Sequence, residues 1–185
     1  NESGIEKIIR WRNKVKRICA WSYKVSCGNE YLCAYARQFA SQVVYNPTTI
    51  DTNSLHNPSL VSHKKNETVT IGWTGSHSTL KYLKEIEPTL ITLEKKYPNV
   101  EVLIIANQKP ELKLRSLKFL PWRKESEAED LAVMDIGIMP LPNDEWTKGK
   151  CGFKALQYMA MNVPAVVSPV GVNLTVVDHG VTGFH

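Results

Sequence analysis

Lysines and glycines near the carboxyl end of the chain have the composition of an anion site. Lys148, Lys150 and Lys154 alternate with Gly149 and Gly152 after an apolar run and before a helical pattern. Glycines let backbone amides approach a ligand, and ammonium groups attract phosphate oxygens. Lys150 and Lys154 are four residues apart, so they share one face if the helix begins early enough. The spacing favours a diphosphate site over the alternative, a flexible solvated loop.

Two other turns place backbone amides next to a helix start. The turn Gly72–Thr79, which contains Gly75 and Ser76, follows an apolar strand pattern but matches neither G-x-G-x-x-G nor a P-loop. The turn Ser168–Asn173, which contains Gly171, also follows a strand pattern. Each turn either faces an anion or is an ordinary tight turn, and the sequence leaves both interpretations open.

The cysteines and histidines do not form a recognisable metal or triad pattern. The four cysteines have no C-x-x-C spacing, and the five histidines are scattered along the chain. Cys19 and Cys33 fall within helical patterns. We therefore expect reduced, structural thiols and histidines with ordinary polar roles.

Alternating strand and helix patterns after residue 66 must position these residues. Strands are predicted over 68–73, 100–106, 115–120, 135–141 and 165–168, and helices over 79–97, 127–134, 152–160 and 174–178. Pro88 should kink or divide the first of these helices. Apolar strands separated by helices predict a parallel sheet covered on both faces. Ligands bind at the carboxyl ends of such strands, so the candidate binding loops are 74–79, 107–113, 120–126, 140–153 and 168–173.

The first third of the chain has a different pattern and most of the positive charge. Helices are predicted over 5–21 and 30–39, short strands over 25–27 and 43–45, and a polar linker over 46–66. Residues 1–66 contain 10 Lys and Arg against 4 Asp and Glu, whereas residues 67–185 contain 13 against 14. The basic helix 5–21 either attracts phosphates of nucleic acid, anionic lipid or nucleotide, or is a solvated helix face.

Composition excludes several classes of protein. The chain has 185 residues, of which 43% are hydrophobic and 22% charged. These values are typical of a globular protein and exclude a wholly disordered chain, a collagen-like chain and a disulfide-dense miniprotein. No apolar run approaches the roughly 18–20 residues that cross a bilayer, and no secretory signal pattern is present.

The segment Gly149–Gly183 contains an ordered set of short motifs. In chain order, the elements are Gly152, Phe153, Leu156–Ala160, Pro164–Val167, Gly171, His179–Gly180 and Gly183–Phe184. This segment resembles the nucleotide-binding half of the group 1 family of retaining glycosyltransferases with the GT-B fold, and the resemblance extends over about residues 24–185.

The resemblance implies a Rossmann-like parallel sheet that holds a nucleotide-sugar donor. Gly75 and Ser76 match the family's first glycine-rich loop, and Trp122 and Arg123 stand where the family contacts the base. Gly152 and Phe153 belong to the matching donor motif. Val170, Gly171 and Val172 match the turn that faces the diphosphate. Catalysis in such a site is mainly electrostatic stabilisation of the departing nucleoside diphosphate. No metal or other cofactor is expected, and the chain has no Asp-x-Asp pair.

The chain departs from the family pattern at two sets of residues. The usual Glu-x7-Glu pair maps to Gly149 and Gln157, so the first acid is absent and the second is an amide. An amide can still hydrogen-bond ribose hydroxyls. The family's usual Arg/Lys pair has no clear match, and Lys150 and Lys154 are the predicted catalytic cations in its place. These departures leave an alternative open, a catalytically inactive nucleotide-binding module.

The resemblance also implies a domain organisation and partners. Residues 1–66 are expected to be the tail of an N-terminal domain plus a linker, and residues 67–185 a donor-binding domain truncated at its carboxyl end. The expected reaction is retaining sugar transfer to an acceptor glycan or lipid-linked glycan in cell-envelope polysaccharide or glycoconjugate synthesis, with the fragment alone inactive. The expected location is cytoplasmic, at the inner face of the membrane, with peripheral contact through the basic helix 5–21. Nucleic-acid binding is not expected, because aromatic residues are not interleaved with the bases in a recognised motif.

Overall fold

A computed structural model describes residues 13–62 and 67–185 of the chain. Its amino-terminal part is a small parallel unit, formed by α1 (Lys14–Trp21), β1 (Val25–Cys27), α2 (Glu30–Ala36) and β2 (Val43–Tyr45). Strands β1 and β2 pair in parallel, with Val25 opposite Val43. The amino-terminal half of the predicted helix 5–21 lies outside the described residues.

Small buried residues form the core of this amino-terminal unit. Cys19, Cys27, Cys33 and Ala36 pack together, and all four cysteines of the chain are free thiols. Burial, followed by the neighbouring Cys33, raises the pKa of the Cys27 thiol. Helix α2 ends three residues earlier than predicted, because the amides of Gln38 and Phe39 bond to carbonyls three residues back rather than four.

The second sheet has six strands, all parallel, as the alternating pattern predicted. The strands are β3 (Val69–Gly75), β4 (Val100–Ala106), β5 (Leu117–Pro121), β6 (Ile136–Met139), β7 (Ala165–Val167) and β8 (Gly183–Phe184). Their spatial order is β5-β4-β3-β6-β7-β8. The chain therefore winds outward from β3 in one direction and from β6 in the other. The crevice between these two strands is the point where ligands bind in open parallel sheets.

Helices cover both faces of this sheet. They are α3 (Lys81–Lys96), α4 (Glu127–Ala132), α5 (Glu145–Lys148), α6 (Phe153–Ala160) and α7 (Asn173–Val176). One core cluster joins the α3 residues Leu83 and Leu90 to the sheet. A second cluster joins Leu131, Ala155 and Tyr158, from α4 and α6, to the sheet. The predicted α/β architecture with helices on two sides is confirmed.

Of the two predicted effects of Pro88 on the first helix of this domain, a kink or a division, the division does not occur. Helix α3 runs without interruption from Lys81 to Lys96 with Pro88 inside it. Leu83 and Leu90, one on each side of the proline, are buried against the sheet, and this packing outweighs the lost hydrogen bond. The helix also starts later than predicted, because His77–Thr79 forms a separate 3-10 turn.

Other boundaries differ from the predictions by a few residues, and one helix was missed. Strand β5 begins at Leu117 instead of residue 115, and α4 ends at Ala132 instead of residue 134. The predicted loop 140–153 contains the short helix α5, which begins with a capping box between Asp144 and Thr147. The 3-residue strand β7 and the 2-residue strand β8 complete the sheet. In the part of the chain that the structure describes, no helix has the length and apolar character that crossing a membrane requires.

Candidate functional site

A cleft of about 400 Å³ opens at the carboxyl edge of the six-stranded sheet. It lies outside the ends of β3, β4 and β5 and against the first turns of α4 and α6. Its lining residues are Thr74, Gly75, Ser76, Asn107, Trp122, Glu127, Phe153, Lys154 and Gln157. Six of them were predicted as site residues: Gly75, Ser76, Trp122, Phe153, Lys154 and Gln157. The position agrees with the crevice that the strand order creates.

Gly75 leaves room for the side chains of Trp73 and Lys154 beside the cleft. A Cβ atom at this position would lie 2.5 Å from Cη2 of Trp73 and 3.0 Å from Cε of Lys154. Trp73 is buried, so its ring cannot move aside. A side chain here would therefore displace Lys154 or the indole, which explains a glycine at the end of β3.

Lys154 is a half-buried cation at the wall of this cleft. Its Nζ lies 5.6 Å from the centre of the Trp73 ring, in the geometry of a cation–π contact. Burial, followed by the charge of Lys150, lowers the pKa of the Lys154 ammonium to about 8. Among residues 13–62 and 67–185, no carboxylate lies within ion-pair distance of it. A bound anion would supply the missing countercharge.

Lys150 lies apart from this cleft. It lines a neighbouring cavity of about 250 Å³, together with Tyr31, Leu32, Glu145, Trp146 and Gly149. Helix α6 begins at Phe153, so Lys150 precedes it and the two lysines do not share a helix face. Lys150 still acts on Lys154 electrostatically, since its charge contributes to the lowered pKa.

One wall of the cleft is an indole held by a carboxylate. The indole Nε1 of Trp122 donates to Oε1 of Glu127 at 3.0 Å. Asn107 stands nearby, where its Oδ1 accepts from the backbone amide of His77 at 2.8 Å. Trp122 is partly exposed, so its ring is available for stacking, whereas Arg123 is exposed and does not line the cleft.

The loop between α5 and α6, residues 148–152, is called the lysine loop below. The turn Val170–Val172 packs against this loop and does not line the cleft. Gly171 has φ +57°, and a Cβ there would lie 3.1 Å from the carbonyl oxygen of Lys148. Gly152 has φ +72°, and a Cβ there would lie 3.2 Å from Cγ1 of Val172. The two glycines therefore let the turn and the loop pack closely, and both adopt the left-handed conformation that glycine favours.

Asn29, which the sequence analysis did not single out, fixes the lysine loop from the amino-terminal unit. It caps α2, since its Oδ1 accepts from the amide of Leu32 at 2.8 Å. Its Nδ2 donates to the carbonyl oxygens of Lys148 and Lys150, at 3.2 and 2.9 Å. An asparagine before a helix signals a cap, but no sequence pattern indicates a partner 119 residues away.

His56 is a second residue that the sequence analysis gave only an ordinary role. It comes from the segment before β3 and is buried behind the cleft, 1% exposed. Its Nε2 lies 3.2 Å from Nε2 of Gln157 and 3.5 Å from Oε2 of Glu127. Gln157 and Glu127, which both line the cleft, therefore both lie against this buried histidine.

Comparison with protein families gives a match over most of the six-stranded part. Residues 68–185 match the family described as "Glycosyl transferases group 1". A search among curated proteins found no match.

Solved structures with the same fold have low sequence identity to this chain, and several are named as glycosyltransferases. A mutant of TarM from Staphylococcus aureus, solved in complex with fondaparinux, alpha-GlcNAc-glycerol and UDP, aligns with TM-score 0.68 and 10% identity over 94% of this chain and 35% of its own. A glycosyltransferase from Rickettsia africae aligns with TM-score 0.66 and 12% identity over 94% of this chain and 52% of its own. WaaG, a glycosyltransferase involved in lipopolysaccharide biosynthesis, aligns with TM-score 0.54 and 14% identity over 79% of this chain and 44% of its own. The chain spans about a third to a half of the length of these proteins.

Proposed function

The chain belongs to the group 1 glycosyltransferases and has their GT-B fold, and from this premise we propose that it forms the donor-binding part of a retaining enzyme. This enzyme transfers a sugar from a nucleotide-sugar to a hydroxyl of an acceptor glycan or lipid-linked glycan. The proposed setting is cell-envelope polysaccharide or glycoconjugate synthesis. The observation that supports this proposal most is Lys154, a half-buried cation with lowered pKa and no carboxylate partner among the described residues, in the cleft at the carboxyl edge of the sheet.

The cleft offers one group for each part of a nucleotide-sugar. The partly exposed ring of Trp122 provides a face on which a base can stack. Gln157 provides amide groups for the ribose hydroxyls. Lys154 and the backbone amides near Gly75 and Ser76 provide positive charge for the diphosphate.

In the proposed reaction the bond between the anomeric carbon and the phosphate oxygen breaks, and negative charge grows on the departing diphosphate. A cation already in place costs no reorganisation at that moment, so it stabilises the transition state more than the ground state. Lys154 is the proposed cation, and Lys150 raises the positive potential from the neighbouring cavity. The acceptor hydroxyl attacks the anomeric carbon, and its proton passes to the departing phosphate oxygen.

A nucleotide-binding module without activity is the second candidate function. Gly149 stands where the family resemblance expects an acid that touches the donor sugar. The chain also spans only about a third to a half of the solved relatives, so we expect the 185-residue chain alone to bind nucleotide without sugar turnover.

We further propose that donor binding needs no metal ion, since Lys154 supplies positive charge and the chain has no Asp-x-Asp pair. Nucleoside diphosphate affinity should be the same with excess EDTA and with added Mg²⁺ or Mn²⁺. A strict requirement for either ion would overturn this part of the proposal.

We propose a cytoplasmic location at the inner face of the membrane, with peripheral contact through the basic segment 5–21. In its described part, α1, the apolar residues Val15 and Ile18 are 58% and 48% exposed beside Lys14 and Lys16. Exposed apolar groups next to cations suit an anionic lipid surface. Co-sedimentation with phosphatidylglycerol vesicles but not with phosphatidylcholine vesicles is expected. Equal binding to both, or tighter salt-sensitive binding to duplex DNA, would contradict this contact.

Calorimetric titration with UDP, GDP, ADP and CMP tests the proposed function. The parent chain should bind at least one of them, and Lys154→Met should weaken that binding roughly tenfold to a hundredfold, because a charge-assisted phosphate contact is lost. Binding of the matching nucleoside should change little. Lys96→Met is the matched control, since Lys96 is exposed at the opposite edge of the sheet. No binding to any nucleotide at millimolar concentration would refute the proposal.

A further inference from the structure

His56 is a buried side chain that reaches the cleft from outside the family match. It precedes residues 68–185 and lies in a turn where its backbone amide donates to the carbonyl of Asp51 at 2.8 Å. The Asp51 carboxylate closes that turn by accepting from Ser54 and Asn53. The turn places the imidazole edge-on to Phe153, with ring centres 6.4 Å apart.

The imidazole is satisfied on one side only. Its Nε2 faces Gln157 and Glu127, at 3.2 and 3.5 Å. Its Nδ1 is buried and has no hydrogen-bond partner among the described residues. A buried polar atom without a partner is rare in folded proteins and calls for an explanation.

The Gln157 amide assigns the ring proton of His56 to the unpartnered Nδ1, because the amide donates to Nε2. The amide has a donor end and an acceptor end, and its donor end, Nε2, faces His56. The acceptor end, Oε1, makes no hydrogen bond within the described part of the chain. Gln157 itself lines the cleft. Glu127 accepts from Trp122 at Oε1, and its Oε2 lies 3.5 Å from the same Nε2 of His56.

We infer that His56 is a positioning residue: by accepting the Gln157 N–H at Nε2, it keeps the Gln157 carbonyl oxygen turned to the cleft as the acceptor for a ribose hydroxyl. A carboxylate offers acceptors at both ends and needs no such control, whereas an amide can present the wrong end. The tautomer that accepts at Nε2 carries its proton on Nδ1, the atom without a partner. The opposite tautomer would turn the amide round and present its NH2 group to the ligand. This inference rests on the proposed nucleotide site.

The experiment compares ribose and 2′- or 3′-deoxyribose forms of the nucleoside diphosphate that the parent chain binds. The parent should bind the ribose form more tightly than at least one deoxy form, by about threefold to tenfold for one hydrogen bond. In His56→Phe, which fills the space without an acceptor, the ratio of the affinity for the ribose form to that for the deoxy form should fall towards one. His56→Gln, which keeps an acceptor, should restore part of it. Affinity for inorganic pyrophosphate should be the same in all three proteins.

A double-mutant cycle separates positioning from a general structural role. If His56 acts through Gln157, the ratio in His56→Phe/Gln157→Ala should equal that in Gln157→Ala alone. Gln157→Glu should keep the ribose preference, since its carboxylate presents acceptors at either end. His179→Phe is the control, because His179 is an exposed histidine outside the cleft.

The outcomes are distinguishable. An unchanged ribose preference in His56→Phe, or additive effects in the double variant, would overturn the inference and leave the proposed function in place. A loss of ribose preference in Gln157→Glu would show that the amide donates, and would also overturn the inference. A parent chain that binds no nucleotide would overturn the inference together with the proposed function.

Discussion

Lys154 shows how the surroundings of a single residue define its chemistry. Its neighbours are a buried indole, a glycine and, at longer range, another lysine, so the ammonium is poorly solvated and its pKa is lowered to about 8. A poorly solvated cation without a countercharge binds an anion more strongly than an exposed lysine does. The same surroundings make the cation sensitive to pH in the working range of most enzymes.

Nucleoside diphosphate binding to the parent chain should weaken as the pH rises through about 8. Below this pH Lys154 is charged before the anion arrives, whereas above it binding must take up a proton, so affinity falls by up to about tenfold per pH unit. Calorimetry between about pH 7.5 and 9.5 measures this slope. Lys154→Met should lack it, and an equal slope in that variant would assign the titration to another group.

The lowered pKa of Lys154 has the opposite consequence for the stability of the ligand-free protein, which should increase with pH. Between the lowered pKa of about 8 and the usual value of 10.5, the unfolded state binds more protons at Lys154 than the folded state. The contribution of Lys154 to the free energy of unfolding therefore rises with pH across this interval.

Trp122 should report nucleotide binding through its fluorescence, since its indole lines the cleft and is held by Glu127. Trp122→Phe should show a smaller change in fluorescence than the parent during nucleotide titration. Trp146→Phe is the matched control, because Trp146 is 73% exposed and lies outside the cleft. Identical changes in Trp122→Phe and the parent would place Trp122 away from the base.

At the scale of elements, the site depends on contacts between the amino-terminal unit and the six-stranded part. The cap of α2 and the loop that leads into α6 share one side chain, Asn29, which satisfies both a helix amide and two loop carbonyls. The hydroxyl of Tyr31, also on α2, donates to the Glu145 carboxylate on α5 and so lowers the pKa of that acid. The lysine loop is thus held from a segment more than 100 residues earlier.

Asn29→Asp should lower the free energy of unfolding by about 1–3 kcal/mol. The aspartate keeps the cap acceptor for Leu32 but loses both donors and opposes the carbonyl oxygens of Lys148 and Lys150 with a negative charge. Urea denaturation measures the difference. Asn57→Asp is the control, since Asn57 also caps a turn but loses only one exposed donor bond, to the Asn53 carbonyl. A loss of equal size in this variant would contradict the special role of Asn29.

At the scale of the whole molecule, the strand order creates the cleft. Strands β3 and β6 pair only over Ile71 and Gly72, after which they separate and leave the crevice open. The buried Tyr158 on α6 bridges this separation, since its hydroxyl donates to the Ile138 carbonyl at 3.2 Å and accepts from the Thr74 amide at 3.1 Å. Gly137 permits this approach, because a Cβ there would overlap the Tyr158 ring.

Tyr158→Phe should cost about 1–3 kcal/mol of unfolding free energy, because it leaves the buried Thr74 amide and Ile138 carbonyl without their partner. Thermal and urea unfolding of this variant measure the loss. Tyr23→Phe, at a residue that is 80% exposed, should be neutral. A neutral Tyr158→Phe would mean that water replaces the hydroxyl at the crevice.

Local pattern predicts the elements of this chain where the apolar runs are long or regular. The run Val100–Ala106 is a strand with the predicted bounds, and the alternation of strands and helices predicts the parallel sheet. Among the short elements, β1 and β2 have the predicted bounds, whereas α5 and β8 were missed. Pro88 does not divide α3, because local propensity is weaker than the burial of Leu83 and Leu90.

For the candidate site, the sequence by itself determined the glycine turns, the lysines and the loops that meet at one edge of a parallel sheet. Only the tertiary structure separated Lys154, which lines the cleft, from Lys150, which lines the next cavity. It also brought in Asn29 and His56, whose partners are 119 and 101 residues away. The physical reason is that spacing describes neighbours along one element, whereas burial, pKa and hydrogen-bond partners depend on which elements pack together.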